Sequence, residues 1–419
     1  MPWPKTHPFD ILKTVDTYPV NQLKKQIDCI SEPELREKVM EELESLGISL
    51  VGGQLKLSSI EKDYQRKIHG PARQIELEKA NGWLQKKWKT YQKFFAQGED
   101  IRPDQIQPRL VEVKTQRYLD LFRLARYTWS LPYTKGFGRR LQYLIIDESN
   151  QKLIGILGMQ SPPLSFPARD RLFHYPSGKK TEIVNQMMDI YTLGAVPPYT
   201  RLLGGKLIAL AAASNEVRAA YRRKYEGRHT EMEERCLPAN LIALTTTSAY
   251  GRSSLYNRLK YKGELIARPI GFTEGYGAFH FERLYPLFRQ FLEAQGISTK
   301  GGYGTGPRIK WQVIVRALHK LGFSNDLLRH GVLREVFLFP LISNLEDYVN
   351  GCDLKPTFLD LPFEELSNYW RDRWLLPRSN RVDGWHAWER KSLERVLFST
   401  EALPVDPAVT CSSSHPSGG

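Results

Sequence analysis

The chain has 419 residues, with 60 lysines and arginines against 46 acidic residues and a formal net charge of +14. Hydrophobic residues make up 41%, enough for packed cores, and the length calls for two or three domains. No long uncharged apolar stretch occurs and Met1-Pro2-Trp3-Pro4-Lys5 is not followed by the apolar core of a leader, so neither a membrane-spanning helix nor a signal peptide is expected.

The four cysteines, Cys29, Cys236, Cys352 and Cys411, form no C-x-x-C pair. That spacing argues against a zinc ribbon and against a disulfide framework, so a cytoplasmic setting is expected. No H-E-x-x-H, G-x-S-x-G, HNH or D-x-D-x-T pattern is present, which leaves nuclease and helicase chemistry without support. The positive charge favours a polyanionic partner, with nucleic acid ahead of an acidic protein neighbour or a merely solvated surface.

Taken in chain order, residues 21–46 carry apolar side chains at helical spacing, with Pro33 near a helix start after Ser31. Gly47, Gly52 and Gly53 break the pattern, and Gln54-Leu55-Lys56-Leu57 is a short extended piece. Ser58-Ser59-Ile60-Glu61 resembles a capping box opening a second helix, which Pro71 is expected to break or kink. Trp83, Leu84, Trp88, Tyr91, Phe94 and Phe95 then alternate with lysines. Aromatics facing a core and lysines facing water is the favoured reading, over stacked bases. Residues 98–108 read as a linker. From Leu110 to Trp129 the spacing predicts one amphipathic helix, ended by Pro132.

Leu141-Gln142-Tyr143-Leu144-Ile145-Ile146-Asp147 and the run from Lys152 to Met159 predict a β-hairpin closed over Glu148-Ser149-Asn150-Gln151. A proline-rich stretch, 161–182, follows; it is either a lid or reader beside a site or a surface insertion. Next come an apolar strand around Asp189, the stop at Pro197-Pro198, the glycine pair Gly204-Gly205 before a helix-forming run, and a second β-branched strand at 240–247. The loop and short helix after it hold Tyr256. A glycine pair at a helix start can bring backbone N–H groups to a phosphate, and it can equally serve close helix–strand packing. Between 197 and 262 twelve cationic residues face five acidic ones. Within that span Arg218, Arg222, Arg223, Lys224 and Arg228 are the candidate phosphate contacts, on an expected continuation of the glycine helix, although a charge run is more often a solvated face. After 300 a glycine-rich stretch that is not a P-loop leads into mainly helical sequence, and proline, serine and glycine from 404 to 419 predict a disordered tail.

Strand, R-x-x-G-G helix, strand and L-Y-x-x-L-x-Y helix together resemble the core of a GNAT-type acyl-CoA transferase. That resemblance implies that Arg201, Gly204, Gly205 and Lys206 form a turn for the pyrophosphate of acetyl-CoA, with Tyr256 as general acid. Lys206 stands where the family pattern has glycine or alanine; its side chain either obstructs the phosphates or supplies them a charge. The expected fold is α+β: a GNAT-like mixed sheet (105–296) flanked by an N-terminal helical region (1–100) and a mainly helical C-terminal domain (300–400).

Five strings, Gly158-Met159-Gln160-Ser161-Pro162-Pro163, Arg201-Leu202-Leu203-Gly204-Gly205-Lys206, Ala249-Tyr250-Gly251-Arg252-Ser253-Ser254, Gly304-Thr305-Gly306-Pro307-Arg308 and Arg329-His330-Gly331-Val332-Leu333-Arg334-Glu335, jointly resemble the DruA family of the Druantia anti-phage systems over roughly residues 100 to 400. The resemblance implies one subunit of a multi-gene bacterial defence cassette whose large partner is a helicase-like protein, and it supplies no catalytic residue. The expected function is a defence component that binds nucleic acid or a partner; the rival is an acetyl-CoA-dependent acyltransferase.

Overall fold

A computed structural model describes residues 30–230, 234–300 and 309–398. The tail at 404–419, nearly all of the glycine-rich stretch after 300, residues before Ile30, and Cys29 and Cys411 lie outside the described residues.

The first elements make a small helical layer. Helix α1 (Glu32–Ser45) starts where Ser31 Oγ accepts the N–H of Glu34 at 3.3 Å, with Pro33 in the first turn. Strands β1 (Ile48–Val51) and β2 (Gln54–Leu57) form a hairpin over Gly52 and Gly53, whose φ values of 60° and 82° are those a two-residue turn requires. Helix α2 (Lys62–Tyr91) begins three residues later than the capping-box pattern placed it and runs through Pro71 without a break. A proline removes one ladder bond. The burial of Ile68, Ala72, Leu77, Leu84 and Trp88 along one side outweighs that loss.

The stretch after α2 is packed rather than a linker. Ile101 and Ile106 are each 1% exposed, and Gln97 with Asp100 forms a capping box around a single 3₁₀ turn. The single helix expected from Leu110 divides into strand β3 (Pro108–Glu112) and helix α3 (Gln116–Tyr127), capped by Thr115. Pairing with the next strand captures Leu110 and Val111 for the sheet.

Strands β4 (Arg140–Asp147) and β5 (Lys152–Gln160) form the predicted hairpin. The chain then passes through two short helices, α4 (Pro167–Asp170) and α5 (Lys180–Val184), into β6 (Met187–Ala195). Helices α6 (Gly204–Ala212) and α7 (Asn215–Tyr225) are separate, broken at Ala213-Ser214 rather than continuous. They lead back to β7 (Ala243–Thr247), which lies parallel to β6. Over 249–261, expected as a loop and short helix, residues 254–258 form turns and no helix appears. A two-stranded ribbon, β8 (Lys260–Tyr261) with β9 (Glu264–Leu265), precedes β10 (Arg268–Phe272). Helices α8 (Tyr285–Ala294) and α9 (Ile309–Lys320) follow.

Strand β11 (Glu335–Pro340) then enters the sheet between β10 and β7, giving the order β10-β11-β7-β6-β5-β4-β3. The segment after 300, expected as a mainly helical unit of its own, thus contributes an interior strand, second from the sheet's edge; Val336 to Pro340 pair with Thr247 back to Ala243. Helices α10 (Leu345–Asn350), α11 (Phe363–Trp370), α12 (Leu376–Ser379) and α13 (Lys391–Phe398) complete the described chain.

The result is an α+β fold around one mixed sheet of seven strands. Side chains alternate across each strand, so Tyr143 and Ile145 join the core under α6, α7 and α11, while Leu144 and Ile146 join the core under α2 and α3. A third cluster unites α1, the first hairpin, α8 and α9.

Candidate functional site

The turn before α6 folds onto itself. Leu203, at its end, holds a left-handed φ of 58°. The backbone N–H groups of Arg201, Leu202, Leu203, Gly204 and Lys206 donate to Pro198, Tyr199, Thr200, Tyr199 and Leu203 at 2.9–3.3 Å. These are donors that a pyrophosphate in such a cradle would need. The two glycines serve close approach: a Cβ on Gly204 would meet the carbonyl of Tyr199 at 2.9 Å, and one on Gly205 would meet Leu255 at 2.9 Å. From outside, Trp370 Nε1 donates to the Leu203 carbonyl at 3.0 Å and Arg378 Nε to that of Arg201 at 3.2 Å.

Lys206 is buried. Its Nζ donates to the carbonyls of Ser254, Leu255 and Asn257 at 3.1, 2.6 and 3.1 Å, and burial lowers its pKa to about 8. Of the two roles left open by the sequence, obstruction or phosphate binding, this geometry shows a third: the lysine fastens α6 to the turn that carries Tyr256. Tyr256 itself is 6% exposed, its ring 5.0 Å from that of Phe337 and 5.9 Å from that of Phe339. Burial pushes its hydroxyl pKa up to about 12, against an opposing pull from Thr246.

The basic residues of α7 divide by direction. Arg218 faces inward: its guanidinium donates to the carbonyls of Leu341 and Leu359 and to Asn215 Oδ1 at 2.5–3.2 Å. Arg222 and Arg223 are exposed at the other end, and Arg228 is exposed three residues beyond it. Arg222 pairs loosely with Glu226 at 3.6 Å, Arg223 reaches Glu112 at 2.7 Å, and Lys224 Nζ donates to the carbonyl of Arg140 at 2.8 Å. The helix C-terminus favours such cations, and the fold sets Lys114 and Arg140 beside them. Sequence reading missed these two because neither lies in a charge run.

A second polar group lies within the fold on the other side of the sheet. Asp189 on β6 accepts from Gln160 Nε2 at 3.1 Å and Thr245 Oγ1 at 3.0 Å. Burial raises its pKa, opposed by those bonds and by Arg169 and Arg334. A lone carboxylate inside an apolar strand run was its sequence signal. Among the described residues no group of His, Cys, Asp and Glu is placed to hold a metal ion, and no helix is long and apolar enough to cross a membrane.

Fold and surface together define an α+β protein with a seven-stranded mixed sheet, a self-bonded glycine turn and a basic helix end. A family model described as Druantia protein DruA matches residues 59–351. The Druantia protein DruA of Escherichia coli (strain UMEA 4076-1) is 36% identical over 385 residues, which cover 90% of this chain and 95% of that protein. No solved structure matches. The chain belongs to the DruA family of Druantia anti-phage defence.

Proposed function

We propose that this chain is a nucleic-acid-binding subunit of a Druantia system, working beside companion subunits that include the helicase-like protein the family resemblance implies. The observation that carries the reading is the exposed end of α7, where Arg222, Arg223 and Arg228 gather with Lys224 and outnumber the acids Glu226 and Glu112 beside them. The sheet would serve as a GNAT-like scaffold. That part rests on the order of hairpin, strand, glycine helix and parallel strand, and on β6 meeting β7 only through its first four residues, Met187 to Ile190, before the two part. Acyl transfer finds less support, because backbone donors of the glycine turn are already bonded within it.

The test is a fluorescence-anisotropy titration of labelled duplex and single-stranded DNA with the full chain over a salt series. Binding should weaken linearly with the logarithm of salt concentration. Replacing Arg222, Arg223 and Arg228 by Glu together should weaken it uniformly across sequences and flatten the slope by about two to three. Unchanged affinity and slope would remove the helix end as the contact.

A further inference from the structure

Beside the end of α7 the surface sinks into a pocket of about 320 Å³. Three elements build it: the β3–α3 connection, the first residues of β4, and α7. Lys114 comes from the first, Arg140 from the second and Lys224 from the third, with Gln116, Gln142 and Glu112 also in the wall.

The backbone beneath is fixed. Val113 N–H donates to the carbonyl of Gln142 at 2.8 Å, extending the β3–β4 ladder up to Lys114. Tyr225 OH accepts the N–H of Arg140 at 2.8 Å and donates to its carbonyl at 2.9 Å. The exposed side chain of Arg140 therefore rises from a clamped base.

The charge here is unbalanced. Glu112, whose side chain is 16% exposed, is held by Lys114 at 3.0 Å and by Arg223 at 2.7 Å. One carboxylate faces the cations Lys114, Arg140, Arg223, Lys224 and Arg228. Burial lowers the pKa of Lys224, and Arg228, Arg140 and Lys114 lower it further against the opposing pull of Glu112. Positive potential left over in a half-enclosed hollow attracts an anion.

We infer that this pocket seats one backbone phosphate of a nucleic-acid strand, held by Lys114, Arg140 and Lys224, and so fixes where the strand crosses the basic helix end. Cations arriving from three directions suit a tetrahedral group with several oxygens. A planar carboxylate is better met by a single guanidinium fork. The inference rests on the nucleic-acid reading above and adds to it a positioning contact that the run in α7 does not contain.

The experiment uses the full chain, a labelled DNA duplex and the matching single strand, in the same salt series. Lys114→Gln and Arg140→Gln should each weaken binding on every sequence and reduce the salt slope by about one. Glu112→Gln removes the opposing charge and should tighten binding, an effect that a merely structural carboxylate would not give. Lys38→Gln, on the distant helix α1, should leave the slope unchanged. Thermal melting curves that overlay the parent's show that each variant is folded. If the parent binds DNA and the α7 reversal weakens it, but Lys114→Gln and Arg140→Gln do nothing, the pocket is no phosphate seat and the wider reading stands. If the parent binds neither DNA form, both fall. If polyglutamate at matched ionic strength displaces DNA as well as unlabelled DNA does, the face suits an acidic protein and the inference is overturned.

Discussion

Lys206 Nζ stands 2.6 Å from the carbonyl oxygen of Leu255 and 3.1 Å from those of Ser254 and Asn257. An ammonium has three donors, and here three carbonyls use them. The side chain that breaks the acyl-CoA pattern is thus a fastener between α6 and the turn after β7. With the N–H groups of Arg201, Leu202, Leu203, Gly204 and Lys206 bonded inside their own turn, coenzyme A and acetyl-CoA should leave the melting temperature unchanged at millimolar concentration. A ligand at about 100 times its dissociation constant would add roughly 2.7 kcal/mol and raise the transition by several degrees. A saturable rise that disappears in Gly204→Val would restore the acyltransferase reading.

What the sequence made legible follows from where the information lies. β4 and β5 announce themselves by apolar runs on either side of a four-residue turn, and β6 by its stop at Pro197. These are local signals. β3 carries only five residues, and its Leu110 and Val111 fit a helical period as well as a strand; only the partner strand decides. β11 pairs with a strand some ninety residues earlier, and nothing in Glu335-Val336-Phe337-Leu338-Phe339-Pro340 names that partner. The same holds for the basic pocket. Arg222, Arg223 and Lys224 are visible as a run, whereas Lys114 and Arg140 join them only once β3, β4 and α7 are assembled. Arg218 shows the converse: it belongs to the charge run in sequence and to the interior in space.

Arg169 offers a direct measure of how firmly the proline-rich stretch between β5 and β6 is held. It is 0% exposed, yet charged. Its Nε donates to Asp170 Oδ1 at 2.8 Å, and its two terminal nitrogens donate to the carbonyls of Pro163 and Leu164 at 2.9 Å. Asp170 also accepts from Lys180 at 2.8 Å and from the N–H of Phe166 at 2.9 Å. Burial alone would raise its pKa, but those bonds and the Arg169 charge hold it below the usual carboxylate value. Removing one member of such a buried network costs about 3–5 kcal/mol. Arg169→Met should therefore lower the urea midpoint by that equivalent and open residues 161–180 to limited proteolysis. Arg169→Lys should not restore it, since an ammonium cannot reproduce the planar fork. A Met variant as stable and as resistant as the parent would mean that this stretch is held by its apolar contacts instead.

Three histidines with depressed pKa values tie the stability of the fold to pH. His280 Nε2 lies 3.2 Å from the carbonyl of Leu327, His330 Nδ1 accepts the N–H of Val332 at 3.0 Å, and the two rings are 6.2 Å apart. Burial lowers the pKa of His69 and His280 to about 3 and that of His330 to about 4, with Arg334 adding to the effect on His69 and His330. Their folded values lie below the unfolded value of about 6.5. The unfolded chain therefore takes up protons first, and the stability these groups contribute, complete above about pH 6.5, is lost as the pH falls through about 4 for His330 and about 3 for His69 and His280. Three such protons give a slope of at most about 4 kcal/mol per pH unit. Asp189 works the other way, because burial raises its carboxyl pKa and it gains its proton more readily in the folded state. Urea midpoints between pH 7.5 and 4.5 should fall steeply below 6.5. In His330→Asn, whose side-chain oxygen can still accept from Val332, the slope should drop by about one proton. A parent midpoint that stays flat from pH 7 to pH 5 would mean that these rings take up protons in the folded state as readily as in water.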